Sequence, residues 1–127
     1  MRFVNGFFCV LLVLFAVVQY NDPDFAIWFS IYGIAAAWAG VAAFRPGVLR
    51  AGGTTIGLIA CLAAVALGMV YMWPSEPGWW RQDVWWNNEL VREGIGLMII
   101  LVALLMVALT RRLAGTDGPD PDAGRSA

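Results

Sequence analysis

The chain has 127 residues, of which 61 % are hydrophobic and 13 % charged, whereas soluble domains run about 45–50 % apolar and 25 % charged; that composition excludes disorder and argues against a soluble monomer. Eight arginines, no lysine and a net charge of −1 leave no basic stripe, so nucleic-acid binding has no electrostatic footing. Histidine is absent and Cys9 and Cys61 lie inside apolar runs, which excludes zinc fingers, CxxC redox pairs and haem-attachment motifs.

The apolar residues come in runs close to the length that crosses a hydrocarbon core about 30 Å thick. The pattern predicts an all-α integral membrane four-helix bundle over residues 1–112, with spans at about 3–20, 23–44, 54–73 and 89–110. The first run, Phe3 to Tyr20, is interrupted only by Asn5, Gly6 and Gln19 and covers about 27 Å as a helix. No small-x-small pair stands where a signal peptide would be cut, so the segment reads as a retained span.

Asn21-Asp22-Pro23-Asp24 is a turn and a helix start. Asp22 is a good cap, Pro23 suits the first helical position and Asp24 complements the positive helix end. The second span then runs to Phe44 and is stopped by Arg45-Pro46-Gly47. The third begins near Thr54, and Pro74 ends it. Residues 74–88 hold four tryptophans among polar residues, the composition of a loop lying at headgroup level. The fourth span starts near Asn88 or Glu89 and closes at Arg111 and Arg112. Residues 113–127 are rich in Gly, Pro and Asp, and a disordered cytoplasmic tail is expected there.

Arginine placement orients the spans. Arg2, Arg45, Arg50, Arg111, Arg112 and Arg125 fall on one side, leaving Arg81 and Arg92 on the other, so both termini are expected in the cytoplasm. Arginine without lysine, with abundant Ala and Gly, suggests a GC-rich bacterial genome and hence the inner membrane. Small residues four apart, Gly33/Ala37 and Ala36/Gly40 on the second span and Ala60/Ala64/Gly68 on the third, are expected to be helix-packing seams. Cys9 and Cys61 read as small buried apolar residues, not a redox pair.

The informative polar residues cluster toward the outer side. Glu89, Arg92 and Glu93 stand at i, i+3 and i+4 and share a face with Gly96. A charged face at the mouth of a span is costly toward lipid and must find water or partners. The nearest concentration of charge is Asp22 and Asp24, so Arg92 is expected to pair with one of them. Asp24, Trp28 and Tyr32 recur every four residues on the second span. With Gln19, Asn21 and Tyr71 they would line a shallow cleft opening outward. The candidate ligand-binding residues are therefore Gln19, Asn21, Asp22, Asp24, Trp28, Tyr32, Glu89, Arg92 and Glu93. The same residues also serve a purely structural polar clamp, because acids suit helix starts and tryptophan anchors at interfaces.

At these positions the chain resembles the transmembrane 220 family of small membrane proteins. The resemblance rests on Gln19-Tyr20-Asn21-Asp22-Pro23-Asp24 followed by Trp28 and Tyr32, and on Glu89, Arg92, Glu93, Gly96 and Leu97. It covers approximately Phe3 to Leu109, and Phe25 departs from it where the pattern commonly has a second proline. The resemblance implies a four-helix membrane protein in which these polar positions matter, and it brings no substrate.

The reading that asks least is a non-enzymatic binding or accessory protein in the bilayer, with a small ligand, a lipid or another membrane protein as partner. No cofactor, metal or catalytic residue is expected. A small transporter is the first alternative, although its first span lacks the acid of small multidrug exporters and Glu93 is the deepest carboxylate. A membrane enzyme acting on a lipid-type substrate is the second. Its carboxylates would supply acid/base groups or hold a hard cation, but no serine or cysteine with a base beside it stands near the cluster.

Overall fold

The computed structural model describes residues 1–116, which form helices joined by short turns. Four helical segments are long and apolar enough to cross a membrane: α1 (Arg2–Val18) together with the 3-10 turn that continues it to Asn21, α2 (Phe25–Phe44), α3 (Gly52–Tyr71) and α5 (Glu89–Thr116). A fifth, α4 (Gln82–Asn87), is short and precedes α5 directly. At 1.5 Å per residue α5 is about 42 Å long, enough to carry its charged first turn and its arginine-bearing last turns beyond a hydrocarbon core of about 30 Å. The chain is a membrane-spanning helical protein.

The connection between α1 and α2 differs from the expected cap. A short 3-10 turn, Gln19–Asn21, is followed by Asp22 in an extended conformation, as the residue before proline prefers. The Phe25 N–H donates to the Asp22 carbonyl at 3.1 Å, so Pro23 occupies a β-turn rather than the first helical position. Asp24 is the N-cap of α2, without a side-chain cap bond; its carbonyl accepts from the N–H groups of Ile27 and Trp28. At the far end of α3, Met72 closes the helix by donating to Gly68, ahead of buried Pro74. Asn88 caps α5, its side-chain oxygen accepting from the Val91 N–H at 3.3 Å.

The core runs along α5. Leu97, Ile100, Ala103, Leu104 and Val107, which recur with the helical period on one face, are buried and face α1, α2 and α3. From α2 come Ala35, Ala36, Ala39, Ala42 and Ala43, small side chains that let backbones approach where lipid supplies no hydrophobic drive for helix association. Of the expected seams, Ala36/Gly40 is used: a Cβ on Gly40 would stand 3.3 Å from the Cys9 sulfur on α1. Ala37 of the other α2 pair is exposed, as are Ala60 and Ala64. The reason for the latter is that α3 leans on α5 through a different stripe, Leu58, Cys61, Leu62, Val65, Gly68, Met69 and Met72. The large side chains Phe3, Phe7, Ile56, Leu67 and Val70 point outward, as lipid-facing residues do.

Hydrogen bonds fasten the end that holds the start of α1 and the last turns of α5. Arg111 donates to the Leu49 carbonyl at 2.9 Å and Arg50 to the Ala114 carbonyl, so the short turn Pro46–Arg50 grips the last turns of α5. That grip occupies one of the carbonyls left open at a helix end, and α5 runs on through 113–116, the first residues of the expected tail. The rest of that tail, 117–127, lies outside the described residues. Deeper in the same end, Asn5 donates to the Thr110 hydroxyl at 2.7 Å, and that hydroxyl donates to the Met106 carbonyl at 2.8 Å.

Candidate functional site

At the opposite end, the α1–α2 connection, the start of α5 and the tryptophan segment enclose a cavity of about 870 Å³. Its inner wall is apolar and aromatic: Phe15 and Val18 from α1, Trp28 and Tyr32 from α2, and Ile95, Gly96 and Ile99 from α5. Phe15 meets Tyr32 edge-on at 5.6 Å, and Trp28 lies 6.0 Å from Tyr32. The outer wall is built by Trp79, Trp80, Trp85 and Trp86. Gly78 adopts φ +71° in the turn that aims the first pair, a conformation that favours glycine, and α4 presents the second. Trp80 and Trp86 remain 67 % and 65 % exposed.

Polar groups rim this cavity. Gln19, Asp22, Glu89, Arg92 and Glu93 join Trp28 and Tyr32 in the lining, and Glu89, Arg92, Glu93 and Gly96 present one face of α5 to it. Glu93 lies within electrostatic range of Glu89, Asp24 and Asp22. Tyr32, only 6 % exposed, sets its hydroxyl against Gly96, where any Cβ would collide with the oxygen. Two candidates stand outside the lining: Asn21 and Asp24 are exposed in the turn. Tyr71 does not join the cleft either; it is 91 % exposed on α3, beyond the stripe that packs on α5.

The expected ion pair between Arg92 and Asp22 or Asp24 is not formed. Arg92 instead donates to the Trp86 carbonyl at 2.7 Å, and among the described residues the only ion pair is the exposed Arg81–Asp83, at 2.8 Å. The cause is local. Helix α4 ends at Asn87 and leaves its last carbonyls open, and the next helix brings Arg92 back within reach of one. Nor do the carboxylates converge: among the described residues no three acidic or thiol side chains gather closely enough to hold a metal ion.

The composition of residues 74–88 predicts a loop along the interface; the structure makes its four tryptophans the outer wall of a cavity. Phe15 went unremarked; it shares a face with Gln19 through the i, i+4 spacing, and that spacing was the available signal. Gly94, buried beside the site, went unremarked as well. A Cβ there would stand 2.7 Å from the Met72 carbonyl, so its absence lets the first turns of α5 close on the end of α3.

A family model described as transmembrane family 220, helix, matches residues 11–109, which takes in both polar motifs and the tryptophan segment. No curated protein and no solved structure matches the chain.

Proposed function

The chain belongs to transmembrane family 220, membrane proteins of unknown function, and from that premise we propose that it is a non-enzymatic binding protein whose recess takes up an amphiphilic molecule from the bilayer. The observation that carries this is the cavity itself: about 870 Å³, walled by aromatic rings and rimmed by charge, the mixture expected of a site for a ligand with an apolar body and a polar head. Its lining holds carboxylates, one guanidinium and rings, with no serine, cysteine or lysine to act as a nucleophile.

The placement of arginines supports an orientation with the recess outward and the termini in the cytoplasm, in a bacterial inner membrane. Arg2, Arg45, Arg50, Arg111 and Arg112 belong to the end opposite the recess. Native mass spectrometry of the full chain released from lipid nanodiscs tests the binding reading. One amphiphile is expected to stay bound through mild delipidation and to be lost when Trp79 and Trp85 are replaced by alanine. Retention of the same lipid by that variant, or release of bare protein from the parent, would overturn it.

A further inference from the structure

Resting on that binding reading, we propose that the recess selects an amphiphile whose head carries an ammonium group. Charge is the first observation. Asp22, Asp24 and Glu89 all lie within electrostatic range of Glu93, and the one cation in the lining, Arg92, is turned to the Trp86 carbonyl and pairs with none of them. The field at the mouth therefore favours a cation and disfavours an anionic head.

The second observation is independent of the acids. Tyr32 is buried to more than nine-tenths and lines the cavity, yet its hydroxyl has no hydrogen-bond partner among the described residues. Among the described residues the fully buried polar atom left without a partner is Asn5 Oδ1, so the Tyr32 oxygen is open to the cavity and a molecule in the recess can reach it. A primary ammonium or a headgroup hydroxyl reaching the inner wall would hydrogen-bond it, whereas a quaternary ammonium, which has no N–H, would be held by the charge and the rings alone.

The geometry decides between kinds of cation. The carboxylates are spread, with no three close enough for a metal ion, which disfavours a compact hard ion needing six or more oxygen ligands. Trp79, Trp80, Trp85 and Trp86 line the same cavity. Aromatic faces with diffuse negative charge are the environment that recognises alkylammonium groups. The volume beneath, bounded by Phe15, Ile95 and Ile99, accepts the first part of an alkyl chain.

The test uses the full chain in dodecyl maltoside micelles, with tryptophan emission as the readout. Decyltrimethylammonium is expected to give a saturable change, displaced by tetramethylammonium chloride but not by sodium chloride at equal ionic strength; decyl sulfate is expected to give none. The Glu89→Gln/Glu93→Gln double variant should shift the ammonium midpoint at least about tenfold, the size of one lost close charge contact. If that variant does not fold, displacement by tetramethylammonium in the unaltered chain decides. A parallel titration with phosphatidylethanolamine separates sources: a response to it as well assigns a lipid headgroup, and a response to decyltrimethylammonium alone assigns a single-chain amine. Equal midpoints for decyl sulfate and the ammonium probe, no displacement by tetramethylammonium, or an unshifted midpoint in the folded double variant would overturn the head-group assignment and leave the binding reading standing. No saturable response to any amphiphile would remove the binding reading itself.

Discussion

Tyr32 rests its hydroxyl directly on Gly96, so tightly that a methyl group there would overlap the oxygen and stand 3.2 Å from Cζ. The contact joins α2 to α5 at the inner wall of the recess. Phe15 and Trp28 pack the Tyr32 ring, so a Cβ at position 96 forces that ring out of these contacts toward the recess it lines. Gly96→Ala is expected to cost about 1–3 kcal/mol, the usual range for overpacking. Adding Tyr32→Phe should recover part of that loss by removing the overlapping oxygen. Thermal unfolding of the single and double variants in detergent checks both statements, and an unchanged transition for Gly96→Ala would show that the contact is loose.

The bond from Arg92 to the Trp86 carbonyl makes a separable prediction. Were Arg92 paired with Asp22 or Asp24, a double-mutant cycle would show strong coupling. Without that pair, Arg92→Ala combined with Asp22→Asn or Asp24→Asn should add to within about 0.5 kcal/mol. The loss should instead appear locally, as faster amide hydrogen exchange across 82–87, because α4 is too short to hold itself. A coupling energy well above that bound would restore the ion pair.

At the other end, Asn5 spends its amide on Thr110 while its own carbonyl oxygen is buried without a partner. Asn5→Ala removes the bond and leaves space, and a loss of about 1–2 kcal/mol is expected from hydrogen bonds measured between membrane helices. Asn5→Leu also removes the unsatisfied oxygen while refilling the volume, so it should cost less than alanine. Reversible unfolding in mixed micelles ranks the two; the opposite order would mean that the buried oxygen is satisfied.

Orientation is open to a direct check. A reporter active only in the cytoplasm, fused after the last residue, should give signal, and one active only outside should be silent at that position but active when inserted at Ser75, an exposed residue of the tryptophan segment. The reverse pattern would place the recess on the cytoplasmic side.

The spans were legible because run length alone encodes a crossing: nothing but a helix satisfies the backbone through twenty apolar residues in lipid. The acids and Arg92 were legible for a related reason, since charge at the mouth of such a helix must be turned from lipid. What those residues touch was another matter. Residues 74–88 have no hydrophobic period, so neither the six-residue α4 nor the wall of tryptophans could be read there. Arg92 was matched to the nearest carboxylates because sequence displays charges and hides backbone carbonyls, and a freed helix-end carbonyl took it. Phe15 and Gly94 were hidden differently. One looks like any apolar residue in a span and the other like any glycine, until a neighbouring helix gives each its role.

An amphiphile is expected to enter between Tyr32 and the tryptophan segment. Fluorine NMR of the chain labelled with 5-fluorotryptophan reads this at the site, because five of its seven tryptophans, Trp28, Trp79, Trp80, Trp85 and Trp86, line the recess, whereas Trp38 packs against Gly57 and is not in that lining. Titration with decyltrimethylammonium is predicted to move the recess resonances saturably and leave Trp38 in place. Equal movement of Trp38, or no saturable movement in the recess, would mean that no amphiphile seats there.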